Sequence, residues 1–357
     1  MKILYALPAT GNGHISRAIE LYPVLQKYGE VDFLVSGCNA HLAAPFPVKY
    51  KSKGISLFYN ANGALNYYKF LQNIHISKLL TEMRELPVHQ YDCVISDFEP
   101  LSAWACKINK KFCLQWGHQA SFVYEETPRP KKMNKAAEFI LQRYAPGHRH
   151  LGLHFEHYHE NILTPVIKSS VYYASPAEKN HMTVYLLQYP LKRIVETLRK
   201  ISHIDIHIFH PEVAHKFQDQ HLHFFPINNE VFSGSFLNCK LLITGGGFET
   251  PAEGLFMRKR MICIPVKHHY EQLCNVAALQ DKGAISVKTL DDNIIGIIHH
   301  SLNTSTYALP VIRYPNTDLL VERAFEKWDE WRREVPLDEP DYAEIDFAEI
   351  EQPYYVK

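Results

Sequence analysis

Residues 241–283 read LLITGGGFETPAEGLFMRKRMICIPVKHHYEQLCNVAALQDKG. Leu241, Leu242, Ile243 and Thr244 form an unbroken apolar and β-branched run that ends in Gly245, Gly246 and Gly247. Such a run is expected of a strand buried on both faces, as in a parallel sheet. A helix should start near Thr250-Pro251, since Pro is favoured in a first turn and Thr, just before it, can cap the helix. Glycines let a backbone approach a ligand closely, and the free N–H groups of a helix start attract anions. The stretch therefore predicts a phosphate cradle at the carboxyl end of a parallel strand, where open α/β sheets bind ligands. The blander reading is a glycine turn that serves strand-to-helix geometry alone. With no Gly-Lys-Ser/Thr, the stretch is not a Walker loop, and it is not the GxGxxG dinucleotide fingerprint either.

The same alternation extends outward. Apolar runs at 183–187, 204–209, 222–225 and 261–264 are strand candidates, with a helix expected over 191–201. The first third has runs at 3–7, 31–35, 91–96 and 112–116, with helical spacing of Ile15, Ala18, Ile19, Tyr22 and Leu25 between the first two. Two successive β/α alternations predict two doubly wound domains, the first over 1–165 and the second over 166–312. Residues 163–170 read as the linker. A closing helix is expected over 319–333, within a third segment, 313–357, that ends in an acidic tail.

At 357 residues the chain is long enough for two domains of about 100–200 residues each. Its 38 Lys+Arg balance 38 Asp+Glu, so it lacks the basic surplus of a general nucleic-acid binder. Hydrophobic residues at 46% and charged residues at 21% exclude wholesale disorder. The apolar stretch 3–7 is too short for a signal-peptide core, which points to the cytoplasm. Seven cysteines without a C-x-x-C pair read as reduced, mostly buried thiols. Histidines 154, 157 and 159, 221 and 223, and 268 and 269 fall close together. Among 21 histidines chance proximity accounts for them, so neither metal nor cofactor is expected.

Residues 129–150 hold six Lys/Arg and one Glu, interleaved with Phe139, Ile140, Leu141 and Tyr144. They are either a solvated surface helix or a basic amphipathic element facing a membrane or an anionic acceptor, which would put the protein at the inner membrane face. Residues 59–70 (YNANGALNYYKF) form either an acceptor loop that stacks on sugar rings or a packing loop.

The stretch 241–283 resembles the donor-site signature of GT-B glycosyltransferases. It is similar to the UDP-glucuronosyl/glucosyltransferase superfamily and to the peptidoglycan N-acetylglucosaminyltransferases of family 28. The matching elements are Gly245-Gly246-Gly247, Thr250, Glu253, Pro265, Glu271-Gln272 and Asn275. The resemblance implies two Rossmann-like doubly wound domains around a cleft, with a nucleotide sugar bound by the second. The amides at Gly245, Gly246 and Gly247, with Thr250, would hold the diphosphate. Glu253 would accept from both ribose hydroxyls, and Glu271 and Gln272 would bind the donor sugar. The chain departs from the plant and animal branch at Gly245, Phe248 and Glu249. An acid at 249 beside a phosphate costs electrostatically unless it points away.

In the resembling enzymes a G-x-G-H turn after the first strand faces the acceptor. Here Gly11, Asn12, Gly13 and His14 supply it, followed by Arg17. His14 is a natural base because its unperturbed pKa lies near neutrality, the alternative being a capping or structural His. Asp97, at the end of the 91–96 run, would orient His14 or else cap the next helix, and Glu99 is the substitute. Gly13, Arg17, Glu99 and His118 are assigned to the acceptor side.

The expectation is a metal-independent, inverting transfer of a sugar, from a UDP-sugar, to a hydroxyl of a glycan, a lipid-linked molecule or a small molecule. The rivals are a UDP-sugar 2-epimerase on the same fold and a non-catalytic nucleotide-sugar-binding subunit.

Overall fold

In the computed structural model, which describes residues 1–9, 11–37, 44–53, 76–304 and 312–334, the apolar runs become two sheets of seven described strands each. The first contains β1 (Lys2–Pro8), β2 (Glu30–Ser36), β3 (Val48–Ser52), β4 (Cys93–Ser96), β5 (Leu114–Gly117), β6 (Arg149–Leu153) and β7 (Ile162–Leu163). Its order is β3-β2-β1-β4-β5-β6-β7, and every pairing is parallel. The second contains β8 (His181–Tyr185), β9 (Asp205–Phe209), β10 (Phe217–Asp219), β11 (Leu222–Phe225), β12 (Leu241–Gly245), β13 (Met261–Ile264) and β14 (Ile285–Ser286). Its order is β10-β11-β9-β8-β12-β13-β14, parallel except for the β10–β11 edge pair. Both sheets are doubly wound and Rossmann-like, as the alternation of runs predicts.

Every residue of β1 after Lys2 is buried, as are all of β4 and β13. That is why these strands read as unbroken apolar runs. One face of each sheet has its own apolar cluster: Leu4, Leu34, Val94 and Leu101 in the first, Val184, Ile206, Ile243 and Ile294 in the second. The other faces share a third cluster that runs from Tyr5 and Trp116 to Leu242 and Leu255. Phe155 and Phe248 meet within it, ring centroids 5.1 Å apart. The helix Thr317–Glu334 returns to pack on the helix Asn12–Leu25, with Phe325 stacked on Tyr28 at 4.2 Å.

Strands β3, β6, β7, β10 and β14 are absent from the sequence reading. They are short, or half-exposed mixtures such as VKYKS and FQD, and burial patterns of that kind carry little apolar signal. The expectation of one amphipathic element over 129–150 is corrected. Only Lys135–Arg143 is helical, started by the Asn134 side chain accepting from the Ala137 N–H, and β6 already occupies Arg149 and His150. Arg129 turns inward, donating to Glu138 at 2.7 Å and to the Thr127 and Phe122 carbonyls at 2.6 and 2.8 Å. Residues 59–70 and the acidic tail lie outside the described residues. No described helix is long and apolar enough to cross a membrane.

Gly152 of β6 lies under the 3₁₀ turn Gln119–Val123. A Cβ there would lie 2.7 Å from Ser121 Cα and 2.9 Å from its N. Backbone cannot yield as a flexible side chain can, so Gly152→Ala should destabilise by about 1–3 kcal/mol. An unchanged urea midpoint would contradict this packing.

Candidate active site

In a doubly wound sheet the strand order reverses beside the first strand, and the loops leaving there open a crevice at the carboxyl ends. In the first sheet that point lies between β1 and β4. After β1 the chain turns at Gly11 into the helix Asn12–Leu25, which carries Gly13, His14 and Arg17 in its opening turns. β4 stops at Ser96, and Asp97 follows it. Phe98 then takes a left-handed conformation, φ 59°, with its N–H donated to the Gln115 side chain at 3.2 Å. A non-glycine residue held there is costly and marks a tightly determined turn.

Asp97 is fully buried. Arg17 donates to it from Nη2 at 2.7 Å to Oδ1 and from Nε at 3.1 Å to Oδ2. His14 Nδ1 lies 3.0 Å from Asp97 Oδ2, and the Tyr5 hydroxyl lies 3.4 Å from it. Burial opposes ionisation of Asp97, but the Arg17 guanidinium and His14 outweigh it and hold the carboxyl below its ordinary pKa. An ionised carboxylate only accepts, so His14 Nδ1 is the donor in the Asp97 contact, and Arg17 Nη2 lies 3.1 Å from the same nitrogen. Gly117, at the end of β5, makes room for this group. A Cβ there would lie 2.1 Å from Asp97 Oδ1.

In the second sheet the reversal lies between β8 and β12. β12 ends at Gly245, and the helix Glu249–Phe256 begins after Phe248, with no side chain capping it. Thr250 is thus inside the first turn and does not cap, which corrects the expected cap. Gly246 is needed for packing: a Cβ would lie 3.0 Å from Pro265 Cβ and 3.1 Å from Gln272 O. Gly247 has open space beside it.

The helix carries a buried carboxylate, Glu253, and a poorly exposed one, Glu249, and each meets a cation from outside its own sheet. Glu249 accepts from Arg17 Nη1, reaching across the crevice. Burial pushes its carboxyl up to about 7 despite Arg17. Glu253 lies 3.2 Å from Nζ of Lys168, in the segment between the sheets, and burial again raises its pKa.

Further contacts close the crevice. Asn12 donates to the Tyr185 hydroxyl at 3.1 Å. His118 stacks on Phe248 with centroids 3.9 Å apart, and its Nε2 lies 2.7 Å from Asn275 Oδ1. Gln119 donates to Glu271 at 3.2 Å. Gln272 accepts the Val266 N–H at 2.8 Å, and His269 caps the helix Tyr270–Asp281.

The structure thus gathers His14, Arg17, Asp97, Gly13 and Glu249 into one cluster. Three residues assigned to the acceptor side are engaged by other partners in this structure. Glu99 is fully buried as the cap of the helix Pro100–Ile108, accepting from the Leu101 and Ser102 N–H groups at 3.0 and 2.6 Å. His118 is buried between the two sheets, with Nδ1 2.9 Å from the Leu153 carbonyl and burial lowering its pKa. Arg17, also assigned to the acceptor side, is buried as the ion-pair partner of two carboxylates. Lys168 and the spatial need for glycine at 117 carry no signal in the sequence. Among the described residues no three of His, Cys, Asp and Glu converge to hold a metal, and the six described cysteines are buried and unpaired.

A family model described as glycosyl transferase family 1 matches residues 1–320. No curated protein matches the chain. Among solved structures, the spinosyn forosaminyltransferase SpnP superposes with a TM-score of 0.57 at 12% identity, covering 92% of this chain and 99% of SpnP. MurG of Acinetobacter baumannii gives 0.53 at 14%, covering 92% and 100%. The spinosyn rhamnosyltransferase SpnG, solved with thymidine diphosphate, gives 0.51 at 14%, covering 91% and 100%. At these identities the likeness establishes the shared fold, GT-B.

Removing the charge of Asp97 leaves Arg17 buried beside a neutral amide, so Asp97→Asn should cost about 3–5 kcal/mol. Because the folded pKa of Asp97 is depressed, its stabilisation is present above the ordinary carboxyl range, near 4, and lost as pH falls through the folded value. Wild type should therefore lose its advantage over Asp97→Asn in denaturation curves below about pH 4. A difference that stays constant from pH 7 to pH 2 would contradict the assignment.

Proposed function

The chain belongs to glycosyl transferase family 1 and is a glycosyltransferase; from its site geometry we propose that it moves a sugar from a nucleotide-diphosphate donor to an acceptor hydroxyl by a single inverting displacement. The observation that carries this reading is the His14–Asp97 pair at one switch point, joined through Arg17 to the uncapped helix start at the other. His14 Nε2 takes the proton of the acceptor hydroxyl while its oxygen attacks the anomeric carbon from the face opposite the diphosphate. Asp97 holds the ring in the tautomer a base needs and stabilises the imidazolium that forms. A positioned base of this kind contributes about 10²–10⁴ in rate.

The leaving diphosphate gathers negative charge. The open amides after β12, Gly245 to Gly247 with Thr250, and the positive end of the helix Glu249–Phe256 offset that charge without a metal. Glu253 accepts from the ribose hydroxyls after parting from Lys168. Glu271 and Gln272 exchange their present partners, Gln119 and the Val266 N–H, for hydroxyls of the donor sugar. The donor is a UDP-sugar. The thymidine diphosphate held by SpnG makes a dTDP-sugar the second candidate. The base pair supports transfer over 2-epimerisation, which works on the sugar alone and needs no acceptor deprotonated.

The acceptor is a glycan, a lipid-linked molecule or a small molecule, met in the cytoplasm. The exposed side chains Lys131, Lys132, Met133, Lys135 and Phe139 support peripheral contact with the inner membrane face. Each such Lys contributes about 1 kcal/mol at an anionic surface.

A thermal-shift panel of UDP, dTDP and their sugars tests the donor site. A ligand at about 100 times its Kd adds about 2.7 kcal/mol of stability. The melting temperature should rise with one nucleotide series, and Glu253→Ala should abolish the rise. His14→Ala should keep donor binding and lose about 10²–10⁴ in kcat, measured as nucleotide release with acceptor present. No shift with any nucleotide removes the reading. For the membrane contact, Lys131→Glu with Lys132→Glu should reduce flotation with phosphatidylglycerol vesicles at low salt. Equal flotation of wild type and variant would remove it.

A further inference from the structure

Arg17 divides its guanidinium between two carboxylates. Nε and Nη2 face Asp97, with Nη2 also 3.1 Å from His14 Nδ1, and Nη1 crosses the crevice to Glu249. Glu249 is the first residue of the helix Glu249–Phe256, so its carboxylate lies at the uncapped turn assigned to the donor's diphosphate. Gly13 lies beside it, where a Cβ would make ordinary contact with Glu249 Cγ at 3.4 Å. Both members of this pair are poorly exposed, with side chains 2% and 14% accessible. Two carboxylates share one guanidinium, so once Glu249 is ionised these three side chains carry one net negative charge. A diphosphate diester adds two more at the same helix start. Repulsion across a few ångströms of low-dielectric interior would oppose it unless Glu249 gives way.

We propose that Glu249 is a placeholder for the donor diphosphate on Arg17: donor binding transfers Arg17 Nη1 from the carboxylate to a phosphate oxygen, and Glu249 takes up a proton from solvent. Arg17 is thereby a diphosphate-binding residue supplied by the first domain, and its handover couples donor capture to the Asp97–His14 pair held by the same guanidinium. The inference rests on the donor-site reading above.

The groups facing Glu249 are Arg17 and His14 from the helix Asn12–Leu25, Asp97 after β4, Tyr5 of β1 and Glu253 one turn along its own helix. In the donor-free state burial, with Glu253 and Asp97, raises the Glu249 carboxyl, and Arg17 opposes them, leaving it at about 7. Loss of Arg17 and arrival of phosphate both raise it further. Binding above neutrality therefore takes up a proton, and affinity falls as pH rises, by a limiting factor of about ten per pH unit.

The test is isothermal titration of the full chain with UDP-glucose, UDP-N-acetylglucosamine and dTDP-glucose at pH 6.5–9. Their diphosphates are esterified at both ends and do not themselves titrate in this range. Each pH is run in two buffers of different ionisation enthalpy, so that protons are counted directly. Wild type should take up close to one proton at pH 8 and lose affinity across the range. Glu249→Gln should take up none, show a flat profile and bind about tenfold tighter than wild type at pH 8. His14→Gln should keep the wild-type uptake, which separates Glu249 from the nearby imidazole. Weaker binding by Glu249→Gln, or unchanged proton uptake in it, would overturn the proposal and make the Arg17–Glu249 pair a clamp that the donor site requires. Should no probe bind wild type or Glu249→Gln while both melt cooperatively, the donor-site reading itself fails, and this inference falls with it.

Discussion

Arg17 is a cation with almost no access to water, and the candidate site is arranged around that fact. Removing a guanidinium from solvent is costly unless its donors are filled and its charge is balanced. Asp97 does both, accepting from two of its nitrogens, and Arg17 in turn keeps Asp97 ionised in a buried position. That fixed carboxylate and Arg17 Nη2 both lie against His14 Nδ1. The packing around it follows: Gly117 must lack a side chain, Phe98 must turn left-handed, and Tyr5 must bring its hydroxyl near. A second carboxylate, Glu249, takes the remaining nitrogen, so the same cation ties the two domains together.

The helix Glu249–Phe256 is the counterpart in the second domain. No side chain caps its start, and an uncapped start at a sheet's switch point is suited to an anion. Its two carboxylates would discourage one if they were free. Each is engaged instead by a cation from beyond the second sheet, Arg17 or Lys168. The helix is therefore tied to the first domain and to the segment between the sheets.

The residues whose meeting was legible are those whose place follows from chain position. His14 opens the first helix and Asp97 ends a strand beside β1, so the alternation of elements alone brings them to one crevice. The cost of an acid at 249 was legible too, though its resolution by Arg17, 232 residues away in the chain, was not. Glu99 and His118 show the opposite limit. Both flank strand ends, as a ligand-facing residue would, yet one turns back to cap its own helix and the other inserts between the domains. A strand end fixes where a side chain starts, and the rotamer and the neighbouring surface decide where it goes.

The amino-acid sequence by itself determined the two doubly wound domains, because buried parallel strands must be continuously apolar and the glycine-rich turns must follow them. It also determined the chemistry available at each strand end. Only the tertiary structure decided which charges meet. Arg17 could have faced solvent, an acceptor or a carboxylate. The choice of Asp97 and Glu249 comes from packing two sheets so that a buried cation finds its counter-charges across the crevice, a requirement that no local pattern encodes.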